Sequence, residues 1–185
     1  MNVYDFDKTI YDGDSTADFY LFCLKRHKKM LLLTPSLLNG TLKHYAFGSI
    51  SKTRMKENMY RFLTKIELER DLADFWRTHR KNIKPWYLIN QKSSDVVISA
   101  SPEFLLRPIC KSLGIKTLIA SKVDPKTGVY DGENVHGAEK VRLFNELIGG
   151  EIDRFYSDSE SDRPLAEISR KAFMVKGNKI TEWVL

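Results

Sequence analysis

Apolar positions along the 185-residue chain follow two different periods. Asn2 to Phe6 is a short β-prone run that ends in polar residues, the pattern of a buried strand delivering side chains to a sheet edge. From about Ser15 the apolar residues recur at helical spacing, as Phe19, Leu21, Phe22 and Leu24, then Leu37, Leu38, Leu42 and Tyr45, then Met55, Met59, Phe62 and Leu63, then Leu68, Leu72, Phe75 and Trp76. With Ser15 or Thr16 as the first cap, this predicts about four helices between 15 and 92. After residue 94 strands and helices alternate. The pattern predicts a strand over 96–99, a helix over 102–113 closed by Gly114, a strand over 116–121, and a hairpin over 124–135 turned by Pro125 and Gly128. A helix over 138–148 ending at Gly149-Gly150, a strand over 152–156, a helix over 163–169 and a strand over 172–175 follow, with a turn at Gly177-Asn178.

Repeated strand, helix, strand units imply an α/β fold, a Rossmann-like parallel sheet flanked by helices, with any site beyond the strands' C-terminal ends. The first strand belongs to that sheet, so the helical block is an insertion. The expected division is a core of residues 1–14 and 93–185 and an all-helical insert of 15–92.

Composition excludes several classes. At 42% hydrophobic and 29% charged the chain is an ordinary globular protein, and a chain of this length buries roughly 70% of its unfolded surface without staples. Cys23 and Cys110 stand apart with no ligand-spaced neighbours, the pattern of reduced core thiols rather than a zinc site. Acids at Asp5 and Asp7 stand where a signal peptide would be basic. The most apolar window, 30–42, is cut by Pro35, Asn39 and Gly40 and falls short of a membrane span. These features point to a cytoplasmic protein. The net charge of +6 hides an asymmetry, because residues 22–92 hold 16 basic and 5 acidic residues and the remainder 14 and 19. A basic insert suggests an anionic partner and an acidic body a cation. Lys25-Arg26-His27-Lys28-Lys29 beside Met30-Leu31-Leu32-Leu33 and Leu37-Leu38 has the elements of a peripheral contact with an anionic membrane. The plain alternative is a solvated set of helix faces.

Four polar clusters fall just past predicted strand ends. In Asp5-Phe6-Asp7-Lys8-Thr9, strand alternation turns Asp5 and Asp7 the same way. In Ser99-Ala100-Ser101-Pro102, Ser99 ends a strand and Ser101 has the form of a helix N-cap, whose free N–H groups suit an anion. Lys140 sits in a first helical turn, where the dipole disfavours a cation unless an anion is near. The fourth, Ser157-Asp158-Ser159-Glu160-Ser161-Asp162, offers the oxygen ligands of a hard cation such as Mg²⁺. Taken singly, each also reads as turn acids, capping serines or a surface lysine.

In order and spacing, the series resembles the haloacid dehalogenase superfamily. Asp5-x-Asp7-x-Thr9 resembles its first motif, Ser99 its second, Lys140 its third, and Asp158 with Asp162 its fourth. The insert is similar to the cap of the phosphoserine-phosphatase-like branch. Two departures stand out: Ser157 where that branch often has glycine, and Ser99-Ala100-Ser101-Pro102 in place of a serine followed by two glycines. Neither removes a catalytic side chain, but both weaken the transfer of phosphoserine as substrate.

The resemblance implies a Mg²⁺-dependent phosphatase for a small phosphorylated substrate, and the residue types suit that chemistry. Asp5 would be the nucleophile forming an aspartyl phosphate and Asp7 the general acid and base. Ser99, the Ala100 region and Lys140 would hold the phosphoryl oxygens. Asp5, the Asp7 carbonyl and Asp158 would hold Mg²⁺, with Asp162 a ligand or a support. Asp14 falls near a position that touches the leaving group, and Arg54 is a candidate for a substrate anion; a turn acid and a helix arginine are the plain readings. Trp76, Trp86, Tyr45, Phe47 and Phe62 read as packing within the insert. The histidines lack partners in the pattern, and His136 alone is expected at the rim. A phosphorylated lipid headgroup is the alternative substrate, and a non-catalytic basic module for membrane or nucleic acid the alternative class, with nucleic acid not expected. A receiver domain fits poorly, because its accepting aspartate follows a later strand and it has no large helical insert.

Overall fold

A computed structural model describes residues 1–33 and 57–185. Helices expected around Leu37 to Tyr45 and at Met55, together with His44, Phe47 and Arg54, lie outside the described residues.

Six strands form one sheet in the order β3-β2-β1-β4-β5-β6. They span Asn2–Tyr4 (β1), Val96–Pro102 (β2), Thr117–Ser121 (β3), Ile152–Ser157 (β4), Ser169–Lys176 (β5) and Lys179–Glu182 (β6). All neighbouring pairs are parallel except β5 with β6. The expected α/β fold is therefore present. β6 was not expected: it is the return arm of a hairpin whose turn is Gly177-Asn178, a two-residue connection of the kind that pairs antiparallel strands.

The helices whose two ends fall among the described residues are Ser15–Arg26 (α1), Leu68–His79 (α2), Pro85–Asn90 (α3), Glu103–Ser112 (α4), Ala138–Leu147 (α5) and Arg163–Glu167 (α6). Short 3₁₀ turns over Lys28–Leu33, Arg61–Lys65 and Arg80–Asn82 also belong to the block between β1 and β2. Asp14, not Ser15 or Thr16, caps α1, its Oδ1 accepting the Ala17 N–H at 2.9 Å. The expected hairpin over 124–135 reduces to a single bridge between Val123 and Tyr130, closed by the Asp124 N–H to the Val129 carbonyl.

One face of the sheet carries Val3, Ile98, Phe155 and Ala172 against Phe144 of α5 and Leu165 of α6. The other carries Tyr4, Val97 and Phe6 against α4 and the helical block. Trp76 of α2 packs edge-on to Phe6 and Tyr11 and donates its indole N–H to the Leu105 carbonyl at 2.7 Å. Trp86 does not pack inside the helical block. It lies against Tyr4 and Tyr156 of the sheet, as Tyr87 lies against Tyr4. The block thus returns to the sheet before α3. Its two connections lie side by side: Tyr11 bridges Ile83, and the Lys84 N–H donates to the Ile10 carbonyl at 2.8 Å.

Candidate active site

The loop after β1 is wound tightly. The Ile10 and Tyr11 N–H groups both donate to the Phe6 carbonyl at 2.9 Å, and Lys8 adopts a φ of 58°, a left-handed conformation costly for a side-chain-bearing residue. The buried Lys84 ammonium holds this loop, donating to the Lys8 carbonyl at 2.5 Å and to the Gly177 carbonyl at 2.6 Å. Sequence reasoning missed Lys84; no local pattern marks a lysine whose partners are 76 and 93 residues away.

Asp5, Asp7, Asp14, Ser99, Ala100, Lys140, Asp158 and Asp162 all line one cavity of about 460 Å³, with Ser101, Thr16, Tyr60 and His136 among its other walls. A volume of this size suits a small ligand. The fold rule thus brings the four clusters to one rim, and of the candidate catalytic, phosphate-binding, metal and substrate residues only Arg54 lies outside the described chain.

At the centre, the Lys140 ammonium donates to Asp5 Oδ1 and Asp162 Oδ2, each at 2.7 Å. Lys140 reaches it from the first turn of α5, which is preceded by Gly137 with φ 59° and ψ −127°, a backbone conformation that favours glycine. Ser157 adds a hydrogen bond to the same Asp162 oxygen at 2.7 Å. The serine that replaces glycine in the fourth motif therefore orients Asp162. Asp162 Oδ2 thus accepts from both Lys140 and Ser157.

Asp7 is held from two sides. Its Oδ1 accepts the Ser15 N–H at 2.7 Å, and its Oδ2 accepts the Ser101 hydroxyl. Ser101 is not the helix cap that the sequence suggests. β2 runs on through Pro102, with its register against β3 broken between Ser99 and Pro102, and such a bulge re-aims side chains. The Ser101 N–H donates to Ser99 Oγ at 3.1 Å, which leaves the Ser99 hydroxyl proton available to another acceptor. His27 also differs from its expected solitude: it pairs with Asp71 at 2.8 Å, and neither residue lines the cavity.

Burial dominates the electrostatics. It raises the Asp5 carboxyl to about 7 against the pull of Lys140, and raises Asp7 to about 6 against the Ser101 and Ser15 hydrogen bonds. Asp158 is also raised by burial although Lys8 and Lys176 are near. Lys140, flanked by Asp5 and Asp162, stays protonated, because the two carboxylates outweigh its own burial. Five aspartates and two lysines line the cavity. A phosphate dianion entering that wall would meet a formal surplus of negative charge, which a bound cation relieves.

The residues present fit Mg²⁺ in that role. The donors are all oxygens: Asp5, the Asp7 carbonyl and Asp158. Oxygen donors of this kind, one or two carboxylates with a carbonyl and waters, are what that ion takes.

Residues 3–167 match the haloacid dehalogenase-like hydrolase family. The chain is similar in structure to a protein of unknown function from Bordetella pertussis Tohama I, at 21% identity, over 93% of this chain and 87% of that one, with a TM-score of 0.74. It is similar also to a phosphoserine phosphohydrolase-like protein from Francisella tularensis subsp. tularensis SCHU S4, at 18% identity, over 93% and 86%, TM-score 0.54. A substrate-bound phosphoserine phosphatase aligns at 15% identity, over 92% and 82%, TM-score 0.58. No curated protein matches the chain.

Proposed function

The chain belongs to the haloacid dehalogenase-like hydrolase family, and from that premise we propose that it is a Mg²⁺-dependent phosphatase acting on a small phosphomonoester through an aspartyl phosphate. The observation that carries this reading is Lys140 bridging Asp5 and Asp162 inside a cavity whose walls also hold Asp7, Ser99 and Asp158.

In the first step a carboxylate oxygen of Asp5 forms a bond to phosphorus while the bond from phosphorus to the substrate oxygen breaks, and Asp7 gives its proton to that oxygen. In the second, the Asp7 carboxylate takes a proton from a water that attacks the aspartyl phosphate, freeing phosphate and restoring Asp5. Lys140 spends two of its three N–H donors on Asp5 and Asp162, so the third is available to a phosphoryl oxygen. The Ser99 hydroxyl and the Ala100 N–H complete the cradle. When bound to Asp5, the Asp7 carbonyl and Asp158, Mg²⁺ supplies charge neutralisation between nucleophile and phosphate. Asp162 acts as the support of Lys140.

The helical block serves as a cap over the site, entered at Ser15 and left near Ile83. Asp14 caps α1 through Oδ1, and its other oxygen is available to a substrate donor. Arg54 is the matching candidate for a substrate anion. The test is a panel of phosphorylated metabolites and p-nitrophenyl phosphate, assayed with Mg²⁺ and with chelator. Phosphate release that requires Mg²⁺ is expected; no release from any member would overturn the proposal.

A further inference from the structure

Two hydroxyls to which the family resemblance gives no role form a chain that ends on Asp7. Ser101 donates to Asp7 Oδ2, and Thr16 Oγ1 lies 3.0 Å from Ser101 Oγ. A hydroxyl has one proton. Because that of Ser101 is committed to the carboxylate, the hydrogen bond between the two hydroxyls is one that only Thr16 can donate, from a hydroxyl that also meets Tyr60, and the chain runs from Thr16 to Ser101 to Asp7. Ser101 is buried at 6% exposure, and it stands where the branch that the sequence resembles carries glycine, which has no side-chain hydroxyl. The three residues come from different parts of the fold: Thr16 from the first turn of α1, Ser101 from the bulge of β2, Asp7 from the loop after β1.

We propose that Ser101, backed by Thr16, is a positioning residue for the general acid. This rests on the phosphatase reading above. The Ser101 hydroxyl and the Ser15 N–H grip different oxygens of Asp7, so the carboxyl plane is fixed rather than free to rotate about its last torsion. A fixed acid meets the leaving oxygen in one orientation, and a mobile one spends part of its time turned away. The cost of losing the grip therefore depends on how much the leaving group needs a proton. Since Thr16 belongs to α1, the grip is also tied to where the helical block starts.

The experiment compares kcat/KM for phenyl phosphate and p-nitrophenyl phosphate, two substrates of nearly one shape, with Mg²⁺ present. This constant reports steps up to departure of the leaving group. Phenolate is the poorer leaving group and depends on the acid; nitrophenolate depends on it little. In Ser101→Ala, kcat/KM for phenyl phosphate should fall about tenfold or more beyond any fall for p-nitrophenyl phosphate, a part of the roughly 10²–10⁴ that general acid catalysis supplies. Ser101→Thr, which keeps the hydroxyl, should restore most of the difference, and Thr16→Val should reproduce it at smaller size. Equal losses for both substrates in Ser101→Ala and Thr16→Val, or no loss in either, would overturn the proposal. Should Ser101→Ala fail to fold, Thr16→Val decides alone. Absence of turnover in the unaltered protein is a different failure, that of the phosphatase reading.

Discussion

Two buried aspartates, one in the sheet half and one in the helical block, show how similar ion pairs come to different uses. Asp71 of α2 is 1% exposed and accepts from His27 Nε2 at 2.8 Å, the Glu67 N–H at 3.0 Å and Arg26 Nε at 3.2 Å. Arg26 also reaches Asp74 at 2.8 Å, and Asp74 takes Arg77 at 2.9 Å. Every member of this group faces a partner in the protein, and the group fastens the end of α1 to the start of α2. Asp162 is equally buried and also meets a cation, yet Lys140 shares itself with Asp5, whose carboxyl opens on a cavity. One lysine against two carboxylates leaves charge uncompensated until something else arrives. A closed group of charges holds the fold together; a group left incomplete on its open side is made to bind.

The sharpest way to break this contrast is Asp5→Asn. Turnover should drop by at least about a thousandfold, since nothing else at the rim forms the covalent bond, while circular dichroism stays native; full activity in that variant ends the mechanism. Lys140→Met comes next. It should lower kcat about 10²–10³-fold, as loss of a charge-stabilising donor does, and also lower the melting temperature by leaving two carboxylates facing each other. An active Lys140→Met enzyme would make the lysine structural only. Asp71→Asn should do the reverse, reducing stability by about 1–3 kcal/mol in a urea melt, with kcat per folded molecule unchanged. A selective loss of kcat there would erase the distinction between the groups.

The smallest effect expected is on pH. Burial raises the Asp5 carboxyl from 3.8 to about 7, so on raising the pH the unfolded chain gives up this proton first. In metal-free protein the stability should therefore fall between about pH 4 and pH 7. Asp5→Asn removes that titration. Its metal-free melting temperature should exceed the unaltered protein's at pH 8 by on the order of 5 °C, with the gap closing toward pH 5. A gap independent of pH would mean that the Asp5 charge is not the cause.

Much of this was legible from residues alone, for identifiable reasons. Asp5, Asp7, Lys140 and Asp158 sit just after strands or at a helix start and Ser99 lies near the end of β2, where an open parallel sheet gathers its site; periodicity placed the four clusters there, and the family resemblance singled out these residues within them. What escaped depended on contacts across the chain. Ser101 looks like a cap because Ser-Pro usually is one; a bulge between Ser99 and Pro102 gives it to Asp7, 94 residues away. Trp86 carries a helical pattern whichever surface it meets, and only the fold shows that it meets Tyr4 and Tyr156. β6 is short and exposed throughout, so no buried face marks it.

The place of β1 in the middle of the sheet has a consequence for how the protein is made. Val3 pairs with Val96 on one side and Phe155 on the other, separations of 93 and 152 residues. A strand whose neighbours are that distant gains its partners late, since long loops must close before their contacts repay the ordering. At about 5–20 residues per second of synthesis, the loop bearing Asp5 and Asp7 waits on the order of ten seconds after its own emergence before β4 exists to flank it. A nascent chain halted short of Ile152 should thus leave β1 protease-sensitive, so that the loop bearing Asp5 and Asp7 is expected to settle late in folding rather than to seed it.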